Sequence, residues 1–396
     1  MGSPRYSPFP TDEYQMRLKK ARNLMDKYEF DALLVTAKEN VLYFSGLQTV
    51  GWDSKHRPLG VILPREGGPT MVIPESLAVV AKETSWVDDV RLWGGFKKPN
   101  LPKDPITGIV DALKDLGLSD KRIGMELGYG QRVGMSQDDF DQLKSLVSGA
   151  TIGDASSLLW DLRMIKSPRE IDIMRAVCDA TCKAYELGFA AACEGMTERE
   201  LAGVMMAEMS RLTNYRPGFI GIRSGLLKYP MMNVPPFDKP MEKGDLVVVD
   251  SGATLRDYWC DMMRMLCIGK PTDEQRRFFD VELEAQGAGV AAMKPGATAE
   301  SICQACLDVI EKRGMRQHAP SLERVGHGLG LDVHEPPSMA LGNLNPLEPG
   351  MILTCEPIFS DLPDYRIGNF ALEDVVLITE TGHEILTPFP KTLWIA

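Results

Sequence analysis

The stretch Leu246-Val-Val-Val-Asp250-Ser-Gly-Ala-Thr-Leu-Arg-Asp-Tyr-Trp-Cys-Asp261 constrains this chain more than any other. An apolar run ends in a carboxylate, the chain turns, and a second carboxylate follows eleven residues later, ahead of another apolar run, Met262–Cys267. Two strands folded back about Leu255-Arg256 would set Asp250 directly opposite Asp261. Facing like charges weaken a ladder, and two buried carboxylates in contact must share a proton or hold a cation. The pattern predicts a hairpin whose carboxylates meet a positive charge, unless one Asp is a solvated turn residue. The rest of the chain decides between the two.

Length and composition narrow the classes. At 396 residues the chain can bury the cores of two or three domains, and 25% charged with 44% hydrophobic residues suits a folded soluble protein. A formal charge of −11 with no basic tract argues against nucleic acid as a partner. No apolar run reaches the roughly 18 residues of a membrane span, and Met1–Pro10 lacks the apolar core of a signal peptide. All eight cysteines lie from Cys178 onward, and Cys303 and Cys306 fit the core face of a helix better than a metal or redox pair. The expectation is a cytoplasmic protein without a membrane partner.

Asp12–Tyr28 reads as an amphipathic helix, followed by short apolar runs at Asp31–Thr36, Gly60–Leu63, Thr70–Ile73 and Arg122–Glu126. Helix-like stretches at Ile106–Leu116 and Gln137–Val147 interleave with them, which predicts a smaller α/β domain over 1–155. From 156 to 396 the grammar changes. Ser167-Pro-Arg-Glu170, Thr197-Glu-Arg-Glu200 and Thr272-Asp-Glu-Gln275 are capping boxes, each opening a helix. Gly296-Ala-Thr298 echoes Gly195-Met-Thr197 at an offset of 101 residues. Two copies of a helix pair with strands follow from this echo, so the second domain should be a curved antiparallel sheet backed by two helix pairs. The fold class is α+β.

Three further features join the Asp pair. In Gly326-His327-Gly328-Leu-Gly330-Leu-Asp-Val-His334-Glu-Pro-Pro337, glycines flank one imidazole and a second follows. Glu356 ends the apolar run Leu353-Thr-Cys, and Glu373-Asp374 opens another. Each has a structural explanation alone. Together, four carboxylates and one imidazole form a hard, oxygen-rich set suited to two divalent cations, which would neutralise most of their charge.

In order and spacing, these residues resemble the pita-bread-fold metallopeptidases, the superfamily of prolidase, aminopeptidase P, methionine aminopeptidase and creatinase. Asp31-Ala-Leu-Leu-Val-Thr36 with Tyr43-Phe-Ser-Gly46 resembles the opening of its creatinase-like N-terminal domain. Leu162–Ile171 resembles the entry to the catalytic domain, and Glu242-Lys-Gly-Asp-Leu-Val-Val-Val-Asp250 the strand bearing the first ligand. The resemblance implies metal ligands Asp250, Asp261, His327, Glu356 and Glu373, with Asp261 and Glu373 bridging two ions. Those ions would be manganese first, or cobalt, iron or zinc. It further implies a metal-bridging hydroxide as nucleophile, Glu356 as proton carrier, and His334 as a hydrogen-bond donor to substrate. A homodimer, in which one subunit's N-terminal domain caps the other's site, is also implied.

Two positions depart from the Xaa-Pro-cleaving branch. Met232 or Asn233 stands where a further histidine is usual, leaving Asn233 as the candidate substrate contact. Ala371, preceded by Phe370, stands where an arginine is usual. The expected activity is cleavage of a peptide or amide C–N bond in a small peptide or amide-like substrate, weak on ordinary Xaa-Pro dipeptides if that side of the pocket is apolar. Same-fold enzymes of small compounds, such as ectoine hydrolase, creatinase or a dimethylsulfoniopropionate lyase, are the alternative. A non-catalytic binding module is disfavoured by the full ligand set.

Overall fold

A computed structural model describes residues 4–54, 56–94, 98, 100–320, 322–361 and 363–396. The chain divides into two compact units, Met1–Arg163 and Met164–Ala396.

In the first unit the helices are α1 (Thr11–Tyr28), α2 (Lys38–Ser45), α3 (Ala78–Thr84), α4 (Pro105–Asp115), α5 (Gln137–Leu146) and α6 (Ser156–Met164). The strands are β1 (Ala32–Val35), β2 (Gly60–Pro64), β3 (Thr70–Pro74), β4 (Asp89–Trp93), β5 (Arg122–Met125) and β6 (Thr151–Asp154). They form one mixed sheet in the order β4-β3-β2-β1-β5-β6. Its central strands are buried throughout, as continuous apolar runs require. Buried Glu126, just past β5, accepts from the backbone N–H groups of Thr36 and Ala37, tying the end of β1 to β5.

The second unit begins with α7 (Pro168–Ala191) and α8 (Glu198–Thr213), then β7 (Phe219–Ser224), β8 (Leu246–Gly252), β9 (Thr254–Leu255), β10 (Tyr258–Trp259) and β11 (Met262–Cys267). There follow α9 (Asp273–Ala292), α10 (Ala299–Lys312), β12 (Ile352–Cys355), β13 (Ile358–Ser360), β14 (Asn369–Ala371), β15 (Asp374–Ile378), β16 (His383–Ile385) and β17 (Trp394–Ile395). All three capping boxes form, at Ser167, Thr197 and Thr272. Each satisfies two N–H groups that a bare helix end would leave unpaired. Cys303 and Cys306 are buried free thiols on α10.

The echo of the two Gly-x-Thr segments is a structural repeat. Gly195 N–H donates to Met241 O and Gly296 N–H to Leu347 O, while Thr197 bridges Pro240 and Thr298 bridges Pro346. From these turns the chain passes through Gly244 (φ 95°) and Gly350 (φ 89°) into β8 and β12. Asp250 thus lies near the end of β8, and Glu356 just beyond β12, at matching points of the two copies.

The sheet is built in pieces. One runs β17-β11-β8-β7 and another β12-β15-β16, and a single antiparallel bridge, Met263 to Glu373, joins them. Pairing of β11 with β17 is parallel, a departure from a wholly antiparallel sheet. Behind the sheet lies an apolar core in which Phe278 stacks on Phe370 at 5.3 Å and on Phe359 at 6.0 Å.

The hairpin register differs from the sequence expectation. Arg256 and Asp257, with φ of 51° and 66°, form the tip, and Leu255 pairs with Tyr258. Two positive-φ residues make a turn whose twist matches the flanking strands. The ladder therefore shifts by two, setting Asp250 opposite Met263 instead of Asp261. A shift of two keeps every side chain on its own face, so the two carboxylates become diagonal neighbours and still converge.

Candidate metal centre

Each acidic group is fixed by the backbone around it. Asp250 sits on β8 between Gly221 of β7 and Met263 of β11. Asp261 precedes β11, where Cys260 N–H donates to Ala253 O. Glu373 N–H donates to Met263 O at 3.1 Å, which locks the carboxylate of one sheet piece against the other. Glu356 N–H donates to Val325 O at 2.7 Å.

His327 is held by a close backbone crossing. Its carbonyl accepts from Thr354 N–H at 2.7 Å, and its own N–H donates to Thr354 Oγ1 at 3.2 Å. A Cβ on Gly326 would lie 2.2 Å from Thr354 O, and one on Gly328 2.3 Å from Pro336 O. Glycine at both positions is thus needed for the crossing itself, beyond giving the ring room. His327 Nδ1 lies 2.9 Å from Gly328 O, so it carries the proton and leaves the Nε2 lone pair facing the carboxylates.

The five residues meet. His327 Nε2 lies 3.3 Å from Glu356 Oε1, 3.7 Å from Asp261 Oδ2 and 4.0 Å from Glu373 Oε1. Potential ligand atoms of Asp250, Asp261 and Glu373 lie within 4.8 Å of one another, as do those of His327, Glu356 and Glu373. Glu373 belongs to both groups, the position a bridging carboxylate would occupy. His334 reaches the same spacing with Asp261 and His327, and its ring centroid is 4.3 Å from that of His327.

Whether these residues suit cations is decided by what they lack. Asp261 Oδ1, both oxygens of Glu373 and His327 Nε2 are buried without a hydrogen-bond partner among the described residues. Orphaned acceptors of this kind are costly to bury. Divalent ions at bonds of roughly 2.0–2.2 Å would satisfy all of them with little side-chain movement. Protonation behaviour agrees. Burial, then the charge of Asp250, pushes Asp261 well above the usual carboxylate range. Burial, then the charge of Asp261, does the same to Glu373. Asp250 is raised to about 7 by burial, opposed by Arg223. For Glu356, burial also acts upward, but His327 and Arg324 outweigh it and hold the group below its ordinary value. His334 is lowered to about 4, by desolvation first and then by His327, so its ring is neutral near pH 7.

A cavity of about 510 Å³ opens onto this wall. Asp250, Asp261, Glu356 and His334 line it together with Met232, Asn233, Val234 and Pro235, and Arg324 and Ile358 also border it. Asn233, at φ 51°, thus faces the same space as the carboxylates. Neither Phe370 nor Ala371, from which an apolar side was expected, is itself among the lining residues. Both are fully buried, Phe370 in its stack with Phe278 and Ala371 beside its strand partner, the cavity-lining Ile358. Trp259 instead donates to Leu331 O, and neither it nor Met231 is among the lining residues.

Two basic residues at this site escaped the sequence reading. Arg324 Nη2 lies 3.5 Å from Glu356 Oε1. Arg223 is buried on β7, and Asp250 and Glu356 are the carboxylates whose charge acts on it. The available signal was a lone arginine in the run Phe219-Ile-Gly-Ile-Arg-Ser224, at the same strand parity as Gly221.

Comparison with known proteins agrees with this geometry. A family described as metallopeptidase family M24 matches residues 172–380, and the creatinase/prolidase N-terminal domain matches 17–165. The Xaa-Pro dipeptidase of Pyrococcus horikoshii is 30% identical over 377 residues, covering 95% of this chain and 98% of its own. The crystal structure of the prolidase from Pyrococcus horikoshii superposes with a TM-score of 0.80 at 30% identity, covering 96% of this chain and 99% of that one. An Xaa-Pro dipeptidase from Bacillus anthracis shares the fold at a TM-score of 0.83 and 24% identity, covering 97% and 100% of the two chains.

Proposed function

The chain belongs to metallopeptidase family M24, and on that premise we propose that this metal-dependent hydrolase is a two-metal peptidase cleaving short Xaa-Pro peptides. The observation that carries the reading is the group of unpartnered buried acceptors, Asp261 Oδ1, both Glu373 oxygens and His327 Nε2, gathered behind the cavity wall. Asp250, Asp261 and Glu373 would hold one ion, and His327, Glu356 and Glu373 the other. Manganese suits the oxygen-rich set with its single imidazole. When bound, divalent ions supply a water acidic enough to attack near neutral pH and Lewis acidity toward the scissile carbonyl.

The chain's own residues do the rest. Glu356 reaches both the cavity and His327, so its carboxylate can take the proton of the attacking water and hand one to the departing nitrogen. His334, neutral and at the cavity wall, donates a hydrogen bond to the carbonyl oxygen as negative charge develops there. Asn233 lines the same cavity and offers both a donor and an acceptor to the peptide backbone. Met232, Val234 and Pro235 add apolar surface to the lining.

Turnover by manganese- and cobalt-loaded protein tests the reading, comparing Xaa-Pro dipeptides, longer Xaa-Pro peptides and small amides. Metal-dependent release of free proline from a dipeptide is expected. A protein with two bound ions that cleaves no Xaa-Pro bond would overturn it. The same reading carries a homodimer, to be checked by light scattering as twice the 43.8 kDa chain mass.

A further inference from the structure

Arg223 has no partner equal to its charge. It is 3% exposed, and strand pairing puts it on the sheet face that carries Asp250, since Gly221 opposes Asp250 and Arg223 opposes Val248. Nη1 donates to Met232 Sδ at 2.7 Å, and a thioether is a weak acceptor. Nη2 is buried with no hydrogen-bond partner among the described residues. A guanidinium cannot shed its proton to escape burial, and an unpaired buried charge is strongly unfavourable.

The nearby carboxylates do not resolve this. Asp250 and Glu356 act on Arg223 electrostatically, but both belong to the ligand set. Two divalent ions cancel the four carboxylates Asp250, Asp261, Glu356 and Glu373. In the loaded enzyme the positive charge of Arg223 is then left over, directly behind the cavity-lining Met232. Met232 is half exposed, and an unbranched methionine side chain moves aside readily.

We propose that Arg223 is the specificity-determining residue that reads a free carboxylate on the substrate. The carboxylate displaces Met232 Sδ and pairs with Nη1 and Nη2 in the two-point geometry that guanidinium favours. Position 223 is diagonal to Asp250 across the β7–β8 ladder, a separation of roughly 7–8 Å between backbone positions. The recognised carboxylate therefore lies close to the scissile bond, as it does in a dipeptide and not in a long chain. The cation missing at Ala371 is in this way supplied from another strand, and the preferred substrate is a short anionic peptide or N-acyl amino acid instead of an apolar amide.

The inference rests on the peptidase reading for the identity of the scissile bond, but binding tests it separately from turnover. The experiment is calorimetric titration of the manganese-loaded enzyme with N-acetylproline and N-acetylglycine, each against its own carboxamide. Parallel turnover of a dipeptide tests the peptidase reading alone. The wild type should bind each acid roughly 10- to 100-fold more tightly than its amide, the range of a charge-assisted hydrogen bond. Arg223→Met should remove that preference, with its loss concentrated on the acids, and Arg223→Lys should keep part of it. Equal binding of acid and amide by the wild type would overturn the inference even if dipeptides are cleaved. So would an Arg223→Met enzyme, folded by circular dichroism, that retains the acid preference or loses metal and both ligands alike, since that marks a counter-charge to Asp250. An Arg223→Met chain that fails to fold leaves the wild-type and Arg223→Lys titrations to decide.

Discussion

Two kinds of wall line the candidate catalytic cavity, built on different principles. The metal wall is backbone-locked: His327, Glu356 and Glu373 each exchange main-chain hydrogen bonds with a neighbouring segment, and the phenylalanine stack of Phe278, Phe359 and Phe370 lies behind them. By contrast, Met232–Pro235 lies outside any helix or strand, and Met232 and Asn233 are exposed. A wall pinned by hydrogen bonds has little freedom to change without losing the fold. One made of side chains on a loop can be rewritten residue by residue. Under the proposed function, chemistry would rest on the pinned residues and substrate choice on the loop.

The largest effect should come from the most deeply locked residue. Glu373→Ala removes the carboxylate shared by both ligand groups, so activity is expected to fall to background and metal content, by mass spectrometry, to below two ions per chain. Full metal content with wild-type turnover would make the two walls equivalent and undo the comparison. Chelation should act similarly and also lower the melting temperature, because stripping ions leaves Asp261 and Glu373 buried without partners. Readdition of manganese should restore both.

His334, at the cavity and beside His327, should give an intermediate result. His334→Ala is expected to cost roughly 10²- to 10³-fold in kcat, as for loss of one donor to a developing oxyanion, with both ions retained. Loss of an ion instead would move His334 into the ligand set, which its spacing to Asp261 and His327 allows.

Ala371→Arg sharpens the comparison from the core side. The family's usual arginine would here enter a site that is 0% exposed, beside strand partner Ile358. Overpacking typically costs about 1–3 kcal/mol, so a lower melting temperature without a gain in dipeptide turnover is expected. Higher turnover would show that position 371 does reach the substrate. Asn233→His, on the loop wall, should be the mildest: a few-fold change in KM or kcat with unchanged melting temperature, read from steady-state kinetics and a thermal scan.

Much of this was legible in the chain. Helix starts are local, because a cap and its partner lie three residues apart, and Ser167, Thr197 and Thr272 each cap the helix that the sequence places there. Apolar runs such as Leu246–Asp250 and Asp374–Thr379 are strands for the same short-range reason. The repeat showed through two Gly-x-Thr turns because each glycine must adopt positive φ, 85° at Gly195 and 80° at Gly296.

What the sequence could not settle depended on register and on partners distant along the chain. The hairpin tip moved to Arg256-Asp257 because backbone twist, not the symmetry of the charges, selects the turn. Phe370 faces the core because Phe278, on a helix some ninety residues earlier, is there to receive it. Arg223 reads in the chain as a stray charge in an apolar run, and becomes a site residue only through the pairing of β7 with β8 and the packing of Met232. Sequence alone determined the elements and the kind of ligand each segment carries, since those follow from short-range chemistry. Which side chains share a cavity, and which charge is left without a partner, was decided by tertiary structure, because burial and electrostatics act through space between segments the chain keeps far apart.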